Sequence, residues 1–530
     1  MLHLTQALTR AVQQWPRATA TVFGERRRCY AQLGERVARL AGALSALGVR
    51  PGDRVGLLAL NSDYFLEWTL ACWWAGGVLN PVNTRWSASE VAFCLTDSGT
   101  QVLVIDVTHL DLLEGIRLAC PGLQHVVLTD EAAPPDGLLG HEVLVNTSPA
   151  LQDSRCGEDS LAGIFYTGGT TGRPKGVMLT HRNLLVSSLG FLACGHDVGE
   201  DVALHVAPLF HMAGMSVLIN SMLTAGRHVF LPSFEPATLM STIAAERVTH
   251  LFLVPTMLQR LIDHPEFGQH DLSSLKRVQY AASPMTLALL ERALSALPGV
   301  HFVHAYGMTE LAPHATLLPD VRQAHLWGPA GRSLSAGRPL PHVELRIVDE
   351  QDAEVARGCV GEIVVRGPNV MQGYWRRPQE TTQALRGGWM HTGDLGRMDE
   401  DGLVHVVDRL KDMVITGGEN VYPAEVENVL SQHRAVASCA VIGVPSTQWG
   451  EAVHAVVVLR AGMHAEGDEL IAHCRQTLAR YKCPRSVEFV PSLPLSASAK
   501  VLKAQLRARH QPAPAGHRQG GAEHSPGANR

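Results

Sequence analysis

The sequence predicts an α/β protein: a large N-terminal domain of α/β subdomains plus a β-rich subdomain, then a small α+β C-terminal domain. Three observations predict it. Short apolar runs recur between helical patterns, at Val55-Gly56-Leu57-Leu58-Ala59-Leu60, Val102-Leu103-Val104-Ile105, Val126-Val127-Leu128, Leu251-Phe252-Leu253-Val254 and Val300-His301-Phe302-Val303. Runs of that length between helices fit parallel sheets with helices on their faces. From Val343 the texture changes to strands and turns, as in Val343-Glu344-Leu345-Arg346-Ile347-Val348 and Gly361-Glu362-Ile363-Val364-Val365-Arg366. After Asp408-Arg409-Leu410-Lys411 comes a compact unit with a pattern of its own, long enough for a small domain.

Taken in order, Val37, Leu40, Ala41, Leu44 and Leu47 share one helical face, and Gly48 stops that helix. Pro51-Gly52-Asp53 turns the chain into the strand from Val55. The most apolar window, Phe65 to Leu79, contains Glu67 and is too short to span a bilayer, so it reads as a buried helix. Leu161-Ala162-Gly163-Ile164-Phe165 reads as a buried strand, and Asn183-Leu184-Leu185-Val186 as part of a helix. In the C-terminal unit a helix starts at Pro423, strands lie near Val436–Val441 and Val453–Leu459, a helix spans about Asp468–Arg480, and a strand follows at Val487–Val490. The tail from His510, rich in Gly, Pro, Ala and His without apolar periodicity, is expected to be disordered. The expected domains are 1–408, 409–509 and the tail 510–530. No internal repeat is visible.

The bulk numbers exclude several classes. With 530 residues, 46% hydrophobic and 18% charged, the chain has the composition of an ordinary globular protein with more than one domain. A net charge of -5 leaves no nucleic-acid footprint, and Arg26-Arg27-Arg28 is too short to supply one. Ten cysteines are scattered singly with no C-x-x-C pair, which argues against a zinc module or disulfide framework and fits a reducing cytoplasm. The N-terminus shows no basic segment followed by an apolar block, so no signal peptide is expected.

The chemistry starts with Tyr166-Thr167-Gly168-Gly169-Thr170-Thr171-Gly172-Arg173-Pro174-Lys175-Gly176, after a strand. Glycines let the backbone approach a phosphate, and Thr167, Thr170 and Thr171 offer hydroxyls beside free amides. Lys175 adds a mobile cation, while Pro174 restricts the chain ahead of it. The spacing is not the Walker pattern, because Arg173-Pro174 separates the last loop glycine from the lysine. A Gly/Thr-rich turn can be only a loop, but this placement points to the phosphates of ATP.

Other segments read two ways. His211, in Pro208-Leu209-Phe210-His211-Met212-Ala213-Gly214, is either a hydrogen-bonded core histidine or a site residue. Tyr306-Gly307-Met308-Thr309-Glu310 follows a strand, at the end where open α/β sheets bind ligands. Tyr306 could stack on a base and Glu310 could hold Mg²⁺, or Glu310 could be a solvated loop residue. Asp394, placed in a turn after Gly387-Gly388-Trp389, could accept from both ribose hydroxyls or make an Asx turn. Arg409 reads as a ribose or phosphate contact or a surface ion pair. Lys500 sits among small residues in Leu495-Ser496-Ala497-Ser498-Ala499-Lys500, where a solvated lysine is the ordinary reading.

Taken together, Tyr166–His181, Tyr306–Glu310, Thr392–Asp394 with Asp408–Arg409, and Gly417-Gly418-Glu419-Asn420-Val421-Tyr422-Pro423 resemble the adenylate-forming superfamily. That superfamily holds acyl- and aryl-CoA synthetases, firefly luciferase and peptide-synthetase adenylation domains. The resemblance spans about residues 25 to 505, and is closest to bacterial fatty-acyl-CoA synthetases. It implies a two-step ligase using ATP, Mg²⁺ and CoA: a carboxylate attacks the α-phosphate to give acyl-AMP and pyrophosphate, and CoA then takes the acyl group. It also implies roles. Thr167, Gly168, Gly169, Thr170, Thr171, Gly172 and Lys175 grip phosphates; Tyr306 stacks on adenine; Thr309 contacts the α-phosphate; Glu310, with Thr167, binds Mg²⁺. Asp394 and Arg409 hold the ribose, and Lys500 bridges the substrate carboxylate and α-phosphate. Lys411 is the hinge about which a mobile C-terminal domain turns, bringing Gly417 and Gly418 to a pantetheine channel, and His211 gates the acyl group.

Some residues depart from the family's common spelling. Gly169 replaces Ser, Ala499 replaces the Gly before the lysine, His304 replaces Gln, and Ile415 stands where luciferase-like members have lysine, which argues against light-producing oxygenation. The expected acid is a medium- or long-chain fatty acid, with an aromatic or branched carboxylate second; its pocket is expected around His211, Met257 and Tyr280-Ala281-Ala282-Ser283. An acyl-AMP ligase loading a carrier protein and a non-catalytic binding homologue are the rival readings; no fused carrier domain is visible, and Lys500, Glu310 and Asp394 are all retained. A peripheral membrane contact and a homo-oligomer stay open.

Overall fold

In the computed structural model, residues 3–131, 134–167, 173–194, 201–321, 334–496 and 500–510 are described. The recurrent apolar runs assemble into two large sheets. One has nine strands in the order Arg338–Pro339, His314–Leu318, His301–Gly307, Arg277–Tyr280, His250–Leu253, Val202–His205, Arg227–Phe230, Thr19–Phe23 and Arg26–Cys29. Its centre is parallel, as buried βαβ crossovers require, and its edges are antiparallel. The other has eight strands, with Arg54–Leu58 and Val78–Pro81 at its middle and Leu161–Thr167 paired antiparallel with Lys175–Thr180. The Gly/Thr-rich segment therefore joins a hairpin, and the next helix, His181–Ala193, starts after its second strand. A four-stranded antiparallel sheet, Glu344–Val348, Gly361–Arg366, Met390–Met398 and Val404–Arg409, forms the β-rich part.

The apolar window from Phe65 is a helix only as far as Trp74. Gly76, at φ +80°, breaks the chain there, and Leu79 belongs to the strand Val78–Pro81. Ser62 caps the helix Asp63–Trp74 by accepting from the Phe65 amide at 3.2 Å. The helix is buried on nearly every side, with Phe65, Leu66, Trp68 and Ala71 in the core. Such a helix has no solvated face for Glu67, which instead takes paired bonds from Arg36 at 2.8 and 3.0 Å and lies 3.0 Å from His141 Nε2. Burial alone would raise its pKa, but hydrogen bonds and charge from His141 and Arg36 hold it down at about 2. The carboxylate's contribution to stability is thus complete above its unfolded value of 4.5 and is lost as pH falls through about 2. Glu67→Ala removes the buried partner of Arg36 and leaves its guanidinium paired with Glu142, and a loss of about 1.5–3 kcal/mol is expected in denaturant unfolding at pH 7.

By contacts, the chain up to Lys411 together with Leu495–Val501 forms one compact unit, and Asp412–Pro494 with the chain from Leu502 forms a second. The second unit is a five-stranded sheet in which Gly450–Leu459 pairs with Val436–Ser446, Val414–Thr416 and Ser486–Phe489. Helices Pro423–Ser431, Gly467–Arg475 and Lys503–Arg509 belong to it, and its core includes Val414, Val426, Leu430, Val453, Val457 and Leu470. The helix expected over Asp468–Arg480 ends at Arg475, where the Cys474 carbonyl accepts from the amides of Thr477 and Leu478. The expected tail lies, apart from His510, outside the described residues. The cysteines are all free, and no helix among the described residues is long and apolar enough to cross a membrane.

Candidate active site

The strand His301–Gly307 ends at Tyr306-Gly307, and the geometry there depends on the glycine. A Cβ at Gly307, φ +159°, would sit 1.8 Å from the Pro313 carbonyl oxygen, so a side chain would push the following turn off the sheet. That turn enters the short 3₁₀ segment Thr309–Leu311, which buries both Thr309 and Glu310. The Glu310 carbonyl accepts from the Met371 amide at 2.9 Å, and its Oε1 accepts from the Tyr374 hydroxyl at 2.9 Å. Burial raises the pKa of this carboxyl, and the Tyr374 hydrogen bond and the charges of Arg409 and Lys175 oppose the rise.

The β-rich sheet supplies the facing groups. His391-Thr392-Gly393-Asp394 is not a free turn but part of the strand Met390–Met398. Register places Asp394 opposite Arg409, and Arg409 Nε lies 3.3 Å from Asp394 Oδ1. Tyr306 donates its hydroxyl to Asp394 Oδ2 at 2.9 Å, joining the two motifs. Glu362 fixes the same strand by accepting from the Gly393 amide at 3.0 Å and pairing with His391 at 2.9 Å. Burial raises the Asp394 pKa against the lowering effects of Arg409 and Tyr306.

Lys500 comes to this unit on a small hairpin, in which Leu495 pairs with Val501 and the Lys500 amide donates to Ser496 Oγ at 3.1 Å. Arg85 anchors the hairpin through the Ser496 carbonyl at 3.1 Å. Burial and then the Arg409 charge lower the Lys500 pKa, Asp394 and Glu310 oppose the fall, and it comes to about 8. Its charge is felt in turn at His211, whose own pKa is lowered to about 4, first by burial and then by Lys500. Lys500, Glu310, Asp394, Arg409 and His211 thus share one electrostatic neighbourhood. Ala499 lies outside the described residues.

At the mouth of the hairpin, Thr167 pairs in register with Lys175. Lys175 Nζ lies 2.5 Å from Glu380 and 5.2 Å from the centroid of the Tyr374 ring. Gly168, Gly169, Thr170, Thr171 and Gly172 lie outside the described residues. Sequence reasoning missed Tyr374, Glu380 and Glu362. Tyr374 sits in a two-residue strand, Gly373–Tyr374, held against Val177 and Met178, and a segment so short has no periodicity to reveal it.

His211 begins the helix Met212–Thr224 and caps it, its Nδ1 accepting from the Ala213 amide at 3.4 Å. Gly214 lets this helix press on the preceding loop, since a Cβ would lie 2.4 Å from the Pro208 carbonyl oxygen. His211, Ala213, Phe252, Met257 and Ala282 line a narrow apolar cleft that is nearly closed, with a cavity volume of about 10 Å³. Ala282 adopts φ +75°, a strained value for a residue with a Cβ. Tyr280 is fully buried rather than lining the cleft, and it stacks on His304 at 4.7 Å. His304 is pinned by the Ser335 carbonyl at 2.8 Å.

Lys411 is exposed and ends the first unit. Gly417 and Gly418 form the two-residue loop between Val414–Thr416 and Glu419–Val421, at φ +60° and +85°. Positive φ at both positions is what a tight hairpin loop demands, so the turn alone accounts for both glycines. Ile415 is about half exposed.

Comparison with known proteins gives a consistent result. A family model described as AMP-binding enzyme matches residues 8–375, and one described as AMP-binding enzyme C-terminal domain matches residues 425–500. A feruloyl-CoA synthase from Amycolatopsis sp is 43% identical over 505 residues, covering 94% of this chain and 97% of that one. A medium/long-chain-fatty-acid–CoA ligase, FadD8, from Mycobacterium tuberculosis is 34% identical over 522 residues, covering 96% and 90%. The crystal structure of the anthranilate CoA ligase AuaEII with anthranoyl-AMP superposes with a TM-score of 0.89 at 28% identity, covering 96% of this chain and 97% of that one.

Proposed function

The chain belongs to the AMP-binding, adenylate-forming enzymes, catalysts of ATP-dependent acyl-adenylate formation, and on that premise we propose that it converts an aromatic carboxylic acid to its CoA thioester. The lining of the cleft beside His211 carries the choice of acid. At about 10 Å³ the cleft is nearly closed, far below the roughly 300–1,000 Å³ of ligand sites, so a bound acid has to open it. Phe252 and Met257 offer flat and polarisable walls. Those walls suit an aryl ring, in place of the medium- or long-chain fatty acid expected from the sequence. The 43% identity to a feruloyl-CoA synthase, against 34% to a fatty-acid ligase, supports the same choice.

In the first step the substrate carboxylate attacks the α-phosphate, the bond to the bridging oxygen breaks, and pyrophosphate leaves. Lys500 sets its ammonium against the charge that develops on the carboxylate and phosphate oxygens. Asp394 and Arg409 take the ribose, Tyr306 presents its ring to the adenine, and Thr309 reaches the α-phosphate. Lys175 exchanges Glu380 for phosphate oxygens. Glu310 suits Mg²⁺: it is a buried hard-oxygen donor whose charged form burial disfavours, a cost a divalent cation would offset. With Thr167, Glu310 would hold the ion, which when bound neutralises phosphate charge. In the second step the CoA thiol displaces AMP and loses its proton; Lys411 serves as hinge and Gly417-Gly418 as bare backbone along the pantetheine path.

AMP release should be measured with ferulate, 4-coumarate and benzoate against octanoate and palmitate, with and without CoA. The expected result is CoA-dependent turnover with kcat/KM at least tenfold higher for an aromatic acid. A preference for palmitate would overturn the choice of acid, and pyrophosphate exchange without CoA-dependent turnover would move the acceptor to a carrier protein. The pH profile follows from Lys500. Its charged form is lost as pH rises through about 8, so kcat/KM for adenylation should fall tenfold per pH unit above that value. A profile flat to pH 9.5 in pyrophosphate exchange would separate the lysine from the limb.

A further inference from the structure

The second unit carries three donor side chains that converge from separate elements, none of them a residue assigned above. His454 lies on the strand Gly450–Leu459, Glu488 on its parallel neighbour Ser486–Phe489, and His510 directly follows the helix Lys503–Arg509. Their donor atoms all lie within 4.8 Å of one another. Glu488 Oε2 is 3.2 Å from His510 Nε2 and 3.7 Å from His454 Nε2. Two ligands held tetrahedrally at 2.0–2.1 Å from a divalent ion stand about 3.4 Å apart, between these two separations.

His454 is the informative member. It is 5% exposed, and its Nε2 makes no hydrogen bond, an unfavourable state for a buried polar atom. The other ring nitrogen, Nδ1, is 2.7 Å from Ser486 Oγ. With Nδ1–H given to the serine, the Nε2 lone pair faces a carboxylate oxygen, a repulsive pairing that a cation between them would turn into ligation. A hydrogen-bond partner on the far nitrogen is how metal-binding histidines are usually oriented.

We propose that His454, Glu488 and His510 form a binding site for a divalent transition-metal ion of the Zn²⁺ type, distinct from the magnesium that accompanies ATP. Two imidazoles and one carboxylate suit Zn²⁺, Ni²⁺ or Cu²⁺ and are a poor set for Mg²⁺ or Ca²⁺. Glu488 and His510 keep 37% and 28% of their side chains exposed, so the ion has an entry path and room for a water as fourth ligand. Once bound, it ties the last helix to the middle of the sheet, coupling metal binding to the stability of this unit.

The test uses the full-length protein, freed of metal by a chelator and then titrated with Zn²⁺, with Co²⁺ as a spectroscopic substitute. One equivalent is expected to bind at low micromolar concentration or tighter, with Co²⁺ giving visible absorption of tetrahedral type and Zn²⁺ raising the melting temperature. Glu488→Gln and His510→Ala should each weaken binding at least tenfold, and Ser486→Ala by about tenfold, because the His454 ring loses the hydroxyl that orients it. Mg·ATP-dependent activity should be unchanged in all three. Both surface variants should fold even if a His454 variant does not. Absence of stoichiometric Zn²⁺ binding would overturn the proposal. So would wild-type affinity in both Glu488→Gln and His510→Ala, which would hand the ion to histidines further along the chain, such as His517 and His524.

Discussion

Lys500→Ala is expected to slow acyl-AMP formation by about a hundred- to a thousandfold while leaving transfer from supplied acyl-AMP to CoA close to the wild-type rate. The lysine is half-buried on a hairpin held by Arg85, and its charge interacts with Asp394, Glu310 and Arg409. Burial that lowers its pKa also makes its charge effective, because little water remains to screen it. A preorganised cation aimed at developing oxyanion charge is worth about 2.7–4 kcal/mol, the source of the expected factor. ATP–pyrophosphate exchange reads the first half-reaction, and thioester formation from synthetic acyl-AMP reads the second. Equal losses in both would show that the lysine holds the site together instead of acting on adenylation. An unchanged melting temperature keeps misfolding out of the comparison. Lys500→Arg keeps the charge but replaces a compact ammonium with a planar fork, so part of the rate should return and the alkaline limb should disappear below pH 10.

The contrast between these residues and their neighbours shows which features local sequence can carry. Apolar runs bounded by turns gave strand positions within a residue or two, as at His125–Thr129 and His250–Leu253, because burial on both faces demands such runs. The end of the helix at Trp74 was hidden inside an unbroken apolar window, and only the conformational freedom of Gly76 decides it. Tyr306 and Asp394 are 88 positions apart, and no periodicity predicts that a hydroxyl on one sheet will meet a carboxylate on another. Only the joint spelling of distant motifs suggested a shared site. Tyr374 and Glu380 belong to no such spelling, yet one holds Glu310 and the other holds Lys175. Their roles follow from the short pairing of Gly373–Tyr374 with the strand after the Gly/Thr-rich segment, a long-range register invisible from either segment alone.

Asp394→Asn is expected to raise the KM for ATP by about ten- to a hundredfold and to shift the alkaline limb to lower pH. The carboxylate accepts from Tyr306 at 2.9 Å and lies 3.3 Å from Arg409 Nε. An ionised carboxylate has about four acceptor positions, so two remain for ribose hydroxyls. The amide keeps one acceptor oxygen and turns a donor toward either Tyr306 or Arg409, both themselves donors. A hydrogen bond to a charged group is worth about 1.5–3 kcal/mol, which sets the expected change in KM. The electrostatic consequence has a definite sign. Asp394 is one of the charges that raise the Lys500 pKa against burial, so neutralising it disfavours the ammonium and brings its loss below pH 8. Tyr306→Phe separates the two effects: it removes a donor but leaves the charge, so KM should rise about fivefold with the limb in place. If Asp394→Asn raised KM without moving the limb, the carboxylate would serve the ribose alone, and the coupling between the ribose and Lys500 would have to be abandoned.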